Sequence, residues 1–403
     1  MNSRLRIAIC GTRGIPACYG GFETFAEEIS KRLVARGHSV RVYGRKHLID
    51  YSEELYNGVE IKLLPAPKFK YFETLGHTFF SFLHLLKNKV DIILVCNGAN
   101  SPLIWIPRFI GRMPVIVNVD GIERKRGKWN RFGKIWYRLG ELCSVYLSNR
   151  FISDAEVIRQ YYQDTFNKTS LVIPYGCRDV SKDFLSKKIE GTNDFPRDRS
   201  LFLELGVDPG NYILYVSRLE PENNAHIVIK AYNELRANSK ITMPLLIVGD
   251  APYAKSYINM LKDIAGEGII FAGYRFGKSY EELQKSAYLY VQATEVGGTH
   301  PALVEAMGFA NCIVVNSTPE NLEVVGNCAI PYEFNNISSL AHNLSVLIED
   351  KSKVLDYRRN ARARVEKYYS WDVITKDYEQ LFYELTVNQA DSYGELSKKQ
   401  VNE

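Results

Sequence analysis

The chain has 403 residues, too many for one ordinary hydrophobic core and suited to two domains. Its 46% hydrophobic and 24% charged residues are those of a globular protein, and no apolar run approaches the roughly 20 residues of a membrane span. The net charge of +5 is modest, and no recognised nucleic-acid motif accompanies the basic residues, so nucleic acid is not an expected partner.

Met1-Asn2-Ser3-Arg4 leads directly into the strand-like Leu5–Cys10 with no apolar signal region, which gives the expectation of a cytoplasmic protein. The seven cysteines are scattered without a CxxC pair, an arrangement that suits buried free thiols. After the first strand comes Gly11-Thr12-Arg13-Gly14-Ile15-Pro16, then Gly20-Gly21 ahead of Phe22, Phe25, Ala26, Ile29 and Leu33 at helical spacing. Glycines at both places permit close backbone approach, and the following helix start favours an anion. The motif is not a dinucleotide fingerprint: its glycine spacing differs, and the second strand ends in Tyr43-Gly44-Arg45 rather than an acid, which disfavours an NADP-dependent oxidoreductase. A glycine-rich turn without a ligand is the plain alternative.

Further strands are expected at Ser39–Tyr43, Val59–Leu63, Asp91–Cys96, Pro114–Val119, Arg150–Ser153 and Leu171–Pro174, with a strongly apolar helix at 71–86. Short β-branched runs alternating with helices predict a parallel sheet covered on both faces. Asn97 and Asn100 follow one strand and Asp120-Gly121 ends another, where strand-end polar groups line the ligand side of such sheets; Asp120 would orient an acceptor hydroxyl or simply cap a turn. Between Gly121 and Arg138 lie Arg124, Lys125, Arg126, Lys128, Arg131 and Lys134 against the single acid Glu123, interleaved with Trp129, Phe132, Trp136 and Tyr137. That composition suits an anionic membrane surface, or else an ordinary solvated helix with an aromatic core face.

From Cys177 to Asn211 the pattern lapses into a polar segment, read as an interdomain connection. A second alternating series follows at Tyr212–Ser217, Pro244–Val248, Ile269–Ala272, Leu289–Gln292, Cys312–Asn316 and Ala329–Pro331. The fold class predicted is α/β, with two tandem doubly wound Rossmann-like domains facing across a cleft. Arg218 closes the first strand of the second series, where a guanidinium matches a phosphate and offsets the charge of a leaving diphosphate; a surface ion pair with Glu220 or Glu222 is the alternative.

Gly297-Gly298-Thr299-His300-Pro301-Ala302-Leu303-Val304-Glu305 is the most informative stretch. Pro301 suits a first helical position, so a helix opens there and its start attracts phosphate. Glu305, one turn on, is placed to accept hydrogen bonds from hydroxyls of the same ligand, and His300 would help balance departing charge. A plain αβ unit with a tight entry is the alternative. No DxD and no His/Cys/Asp/Glu cluster with ligand spacing occurs, so no metal and no cofactor are expected; no Ser/His/Asp arrangement is present for hydrolysis. The tail from Asn388 to Glu403 is polar and unpatterned and is expected to lack regular structure.

With those residues in hand, the chain resembles GT-B glycosyltransferases of glycosyltransferase family 4 over Leu5 to Leu385. The resemblance rests on Gly20-Gly21-Phe22-Glu23, Val172-Ile173-Pro174-Tyr175-Gly176, Ser217-Arg218-Leu219-Glu220-Pro221-Glu222, Ile247-Val248-Gly249-Asp250, Phe271-Ala272-Gly273-Tyr274, Pro301 to Met307 and Ser370-Trp371-Asp372. Gly11 to Pro16, Asp120-Gly121-Ile122-Glu123 and Gly297 to Glu305 are similar to a bacterial rhamnosyltransferase branch that builds cell-wall and capsular polysaccharides.

The resemblance implies retaining, metal-independent transfer of a sugar from a nucleotide-diphosphate donor. It implies an acceptor domain at 1–180, a donor domain at 181–368 and a last helix at 369–386 crossing back to the first domain, which leaves 387–403 as the tail expected from its composition to lack regular structure. Gly20 and Gly21 would approach the diphosphate, Arg218 contact its oxygens, the loop Gly298-Thr299-His300-Pro301-Ala302-Leu303 offer N–H groups, Glu305 hold the ribose, and Gly273-Tyr274 flank the base; Asn97, Asp120 and Glu123 would face the acceptor. Two departures stand out: Gly297 replaces a usual glutamate, and Asn223 a usual donor-binding lysine. A donor lacking a hydroxyl, dTDP-β-L-rhamnose, is consistent with the lost carboxylate. The acceptor expected is a lipid-linked saccharide at the inner face of the plasma membrane, with Arg124, Lys125, Arg126, Lys128 and Trp129 facing anionic lipid. UDP-galactose, UDP-glucose or UDP-N-acetylglucosamine are alternative donors, and a catalytically silent nucleotide-sugar-binding scaffold is the alternative from another class.

Overall fold

The computed structural model describes residues 4–17, 20–67, 73–119, 121–125, 129–178, 180–192, 199–238 and 241–400. The chain divides into two compact units, Met1–Tyr175 together with Trp371–Glu403, and Gly176–Ser370. Asp120, Arg126, Lys128 and Cys18, singled out from the sequence, lie outside the described residues.

The first unit is built on β1 (Arg6–Cys10), α1 (Gly21–Ala35), β2 (Ser39–Arg45), β3 (Leu55–Tyr56), β4 (Val59–Leu64), α2 (Glu73–Lys87), β5 (Ile92–Cys96), β6 (Val115–Asn118), α3 (Arg131–Leu147), β7 (Arg150–Ser153), α4 (Glu156–Phe166) and β8 (Leu171–Val172). Its sheet has the order β3-β4-β2-β1-β5-β6-β7-β8 and is parallel except for the β3–β4 pair. The alternation along β1 explains why the sheet needs cover on both sides. Ile7 and Ile9 face Phe25, Ile29 and Leu33 of α1, whereas Ala8 and Cys10 face Phe82 and Leu85 of α2.

The second unit contains α5 (Lys182–Glu190), α6 (Ser200–Leu205), β9 (Ile213–Val216), α7 (Ala225–Asn238), β10 (Leu245–Val248), α8 (Lys255–Asp263), β11 (Ile269–Gly273), α9 (Gly277–Ser286), β12 (Leu289–Gln292), α10 (Pro301–Gly308), β13 (Cys312–Asn316), α11 (Pro319–Val325), β14 (Ile330–Tyr332), α12 (Ile337–Glu349) and α13 (Lys351–Tyr368). Its all-parallel sheet runs β11-β10-β9-β12-β13-β14.

α14 (Trp371–Gln400) returns the chain to the first unit, where Trp371, Ile374, Tyr378, Leu381 and Phe382 share the core of α1 and β1. Asn118 donates to the Tyr378 hydroxyl at 2.8 Å inside that core, so the last helix is keyed by a polar contact as well as by apolar burial.

Two expectations need correction. The polar stretch from Cys177 to Asn211 is not a bare connection: it carries α5 and α6, and α5 is anchored by the buried Lys188, whose Nζ donates to Asn311 Oδ1 at 2.7 Å and to the Gln284 carbonyl at 3.1 Å. Burial, and then nearby Arg358, hold that amine well below its usual pKa. The segment from Asn388, expected without regular structure, continues α14 as far as Gln400.

Candidate functional site

In each sheet the strand order reverses once, between β1 and β5 in the first unit and between β9 and β12 in the second. Connections on the two sides of such a switch point diverge and leave a crevice at the carboxyl ends of the strands, which is where open α/β sheets take ligands. The sequence-derived site residues of the second unit collect at its switch point. Arg218 follows β9, the 293–300 loop follows β12, and α10 opens at Pro301 with His300 at its N-cap.

Arg218 retains 37% of its side chain exposed, enough to meet a ligand, with Nη2 at 3.6 Å from Glu220 Oε2. Glu220 is itself buried and accepts from the Tyr253 hydroxyl at 2.7 Å. Arg218 therefore has the ion-pair partner anticipated as the alternative and a solvent-facing surface as well. Asn223 does not reach outward: its Nδ2 donates to the Arg218 carbonyl at 2.7 Å, and its own carbonyl accepts from the buried Tyr215 hydroxyl at 2.6 Å. Where a phosphate-binding lysine was looked for, the side chain braces the backbone that carries Arg218.

The α10 entry explains Gly297. A Cβ at that position would lie 2.5 Å from Cε1 of the His300 ring, so the imidazole occupies the space a larger residue would need. Gly297 and His300 are thus a matched pair. Gly298 and Thr299 are buried. Leu303, expected among the N–H donors offered to phosphate, instead closes the first turn by donating to the His300 carbonyl at 3.0 Å. The positive end of the α10 dipole remains at residues 298–302.

Glu305, one turn into α10, accepts from Arg178 Nε at 3.2 Å. Burial, and then the neighbouring Glu305 carboxylate, push the Tyr280 phenol well above its usual pKa, which places a second polar group beside that carboxylate. Gly273 ends β11 at φ +67° with open space where a Cβ would be, and the Tyr274 and Phe276 rings beyond it stack at 5.5 Å and 24°. Gly249, in the next loop, tolerates no side chain because its Cβ would sit 1.8 Å from the Ser217 carbonyl oxygen. Sequence reasoning missed Arg178, Tyr280 and Phe276; only the aromatic at 276, two residues after Tyr274, carried a local signal.

In the first unit the glycine loop is pinned from α1. Arg13 N–H donates to Glu23 Oε1 at 2.9 Å and Ala17 N–H to Glu27 Oε2 at 2.7 Å, while a Cβ on Gly11 would lie 2.2 Å from the Cys96 carbonyl oxygen. Gly20 is the N-cap of α1 and Gly21 its first residue. The glycines of this loop therefore serve close packing against β5 in addition to any anion role.

Across the switch point, Asn97 adopts φ +70° and accepts from Ala99 N–H, and the buried Asn100 donates to the Cys96 carbonyl at 2.8 Å. A small recess opens there, lined by Asn97, Gly98, Val119, Gly121, Glu123, Tyr137, Glu141 and Tyr162. Two of the acceptor-side residues expected from sequence, Asn97 and Glu123, face one hollow.

Arg124, expected to face a membrane, is directed inward: Nε donates to Glu141 at 2.9 Å and Nη2 to the Tyr161 hydroxyl at 2.6 Å. Trp129 likewise donates to Glu123 at 3.3 Å and packs against Tyr137. Lys125 ends a short 3-10 turn. Among the described residues, no group of three or more His, Cys, Asp and Glu side chains is arranged to hold a metal ion.

Residues 202–364 match the family described as Glycosyl transferases group 1, and residues 19–178 match Glycosyltransferase Family 4. Among curated proteins, the chain is 26% identical over 180 residues to an uncharacterised glycosyltransferase of Methanocaldococcus jannaschii, covering 43% of this chain and 45% of that protein. It is 24% identical over 169 residues to the O-antigen chain mannosyltransferase B of Escherichia coli, covering 41% and 43%. The chain thus spans less than half the length of the curated relatives it matches.

Over 96% of this chain and all of the other, the structure is similar to sucrose-phosphate synthase from Thermosynechococcus elongatus, with a TM-score of 0.76 at 16% identity. It is also similar to HepE of Anabaena in complex with UDP-glucose, with a TM-score of 0.74 at 18% identity over 94% and 100% of the two chains. A third likeness is to WaaG, described as a glycosyltransferase involved in lipopolysaccharide biosynthesis, with a TM-score of 0.68 at 15% identity over 92% and 98%. The two Rossmann-like units are those of the GT-B glycosyltransferase fold.

Proposed function

We propose that the protein is a retaining glycosyltransferase that takes its nucleotide-diphosphate sugar on the second unit and a lipid-linked saccharide on the first, in the synthesis of a cell-surface polysaccharide. The observation that carries this reading is the convergence of Arg218, the His300–Pro301 helix start and Glu305 at one switch point of one sheet. A diphosphate set there meets the positive end of α10 and the Arg218 guanidinium, and a ribose one turn further meets the Glu305 carboxylate. The stacked Tyr274 and Phe276 rings offer an apolar face for the base. Both family matches, and a similar protein solved with UDP-glucose, support a nucleotide sugar as donor.

In the proposed reaction the bond between the anomeric carbon and the diphosphate oxygen breaks, and the acceptor hydroxyl attacks the face from which the diphosphate leaves. Its proton passes to the departing phosphate. Arg218 and the α10 N-terminus stabilise the charge that develops, with His300 beside them, and no metal takes part in this scheme. The recess at Asn97 and Glu123 receives the acceptor.

L-Rhamnose from dTDP-β-L-rhamnose is the donor we favour. Gly297 leaves the sugar side of the loop without a carboxylate, which suits a sugar with one hydroxyl fewer. Calorimetric titration with dTDP, UDP and GDP tests this choice: dTDP binds tightest if it is correct, and clearly tighter UDP or GDP refutes it. The lipid-linked acceptor places the enzyme on the inner face of the plasma membrane.

A further inference from the structure

One helix of the first unit is inside out. α3 buries Gly140, Glu141 and Ser144, small or polar residues, and turns outward Phe132, Ile135, Leu139, Leu142 and Tyr146. The outward residues recur at intervals of three and four, which makes one continuous stripe along the helix. Phe132 is 82% exposed and Ile135 67%. α2 extends the apolar surface: it packs Phe82 and Leu85 inward together with His77, Thr78 and Ser81, and still leaves Phe79, Phe80 and Leu83 exposed. Between them the short helix Ile106–Ile110, entered from the exposed Trp105, presents Phe109 and Ile110 at 57% and 58% exposure.

The three elements are fixed to one another. Trp136 of α3 donates to the Ala99 carbonyl at 3.0 Å, and a Cβ on Gly140 would lie 2.5 Å from the Gly98 carbonyl oxygen, which sets how closely α3 seats. Arg108 donates to the Ser148 carbonyl at 2.8 Å just beyond α3, and Gly111 packs within reach of Leu86 of α2. Around the apolar residues the exposed charges are basic: Arg131 and Lys134 beside the α3 stripe, Lys87 and Lys89 at the end of α2, and Arg112 after the short helix. Among the described residues of these elements, no carboxylate is exposed. An apolar face of this extent on a globular protein marks an interaction surface.

We propose that this face, the outward stripes of α2, the 105–110 segment and α3, seats the protein on an anionic lipid surface. The aromatic and branched side chains enter the boundary between headgroups and acyl chains, and the rim cations meet lipid phosphates. No described helix is long and apolar enough to cross a membrane, so the contact proposed is an interfacial one. This moves the contact away from the 124–129 segment, where Arg124 and Trp129 are held by Glu141, Tyr161 and Glu123. The inference deepens the proposed reaction at a membrane, and its test needs neither donor nor acceptor.

The full chain is sedimented with vesicles of phosphatidylglycerol and phosphatidylcholine, and with phosphatidylcholine alone. Binding is expected to be stronger to the anionic vesicles. The doubly substituted Phe132→Ser/Ile135→Ser and Phe109→Ser/Ile110→Ser chains are each expected to lose about tenfold or more in partitioning, from the apolar area withheld, with unchanged melting and unchanged binding of nucleoside diphosphate. Arg131→Gln with Lys134→Gln is expected to weaken only the anionic preference and its salt dependence. The proposal is overturned if the unaltered chain stays in the supernatant, or if the apolar double variants bind vesicles as well as it does. It is equally overturned if sedimentation equilibrium shows that these positions close a dimer of the chain and vesicle binding is absent.

Discussion

Arg178 Nε lies 3.2 Å from Glu305 Oε1, joining residues 127 positions apart within the second unit. The pair leaves Arg178 about a third exposed and Glu305 only 12% exposed, so the carboxylate is held at the mouth of the switch-point crevice with its charge balanced from one side. Glu305→Gln is expected to weaken nucleoside diphosphate binding by about tenfold or more, the value of one charge-assisted hydrogen bond. Arg178→Ala is expected to weaken it by about tenfold through loss of that orientation. Calorimetric titration checks both, and affinities equal to the unaltered protein's would remove Glu305 from the site.

Arg218→Ala is expected to lower turnover by roughly 100-fold or more, as removal of a donor to a developing anion does. Asn223→Ala acts on the same loop from behind, since its amide supports the Arg218 carbonyl. It should lower turnover less than Arg218→Ala while also reducing stability by about 1 kcal/mol. A steady-state assay of diphosphate release, run beside urea unfolding, separates the two effects.

Gly297→Ala would displace the His300 ring, because the new methyl needs the space of Cε1. Reduced turnover with nearly unchanged melting is the expected result. For the same reason Gly297→Glu alone should not install a working carboxylate there. An active Gly297→Glu chain with an unmoved His300 would contradict the packing described.

His77 gives the fold a dependence on acid. It is fully buried, donates from Nε2 to the Gly44 carbonyl at 2.9 Å, and among the described residues has no partner for Nδ1. Burial, against the pull of the Gly44 bond, drops its pKa from 6.5 to about 4. Above pH 6.5 the ring is neutral folded and unfolded, and it contributes no pH dependence. Between pH 6.5 and about 4 the unfolded chain takes up the proton first, so stability falls as the pH is lowered, by on the order of 3 kcal/mol from this group. His77→Gln keeps a donor for Gly44 without a titrating ring, and urea unfolding at pH 7 and pH 4.5 should show a smaller acid loss for that variant. An equal loss would assign the effect to other groups.

Trp371→Ala removes a buried ring from the core shared by α1, β1 and α14, and should cost about 3–5 kcal/mol of stability. Chemical denaturation followed by tryptophan-independent circular dichroism measures it. A cost under about 1 kcal/mol would mean that the last helix is not integral to the first unit.

The sheets were legible because their strands are short β-branched runs buried on both faces, a pattern that survives without knowledge of neighbours. β3 was not, since two residues, Leu55 and Tyr56, carry no period. α5 and α6 were not, because their anchors are a buried lysine and scattered apolar residues rather than an apolar stripe. The α10 entry could be read from Pro301 alone, as its first-turn geometry depends on local chemistry. The reach of a side chain could not. Asn223 turning back to Arg218, Arg124 turning in to Glu141 and Arg178 meeting Glu305 are set by tertiary packing across 5, 17 and 127 residues respectively. The inverted α3 was visible as composition, basic and aromatic, while the direction of its apolar face emerged only with Gly140 and Ser144 seated against residues 98–101.

Hydrogen–deuterium exchange with and without a nucleoside diphosphate tests most directly whether the second unit's switch point holds the donor. Slowed exchange is predicted at 217–223, 273–276 and 297–305, and should be smaller for Glu305→Gln at the same sub-saturating ligand concentration. Unchanged exchange in all three segments at a saturating concentration, with slowing confined to other faces of the unit, would contradict the account.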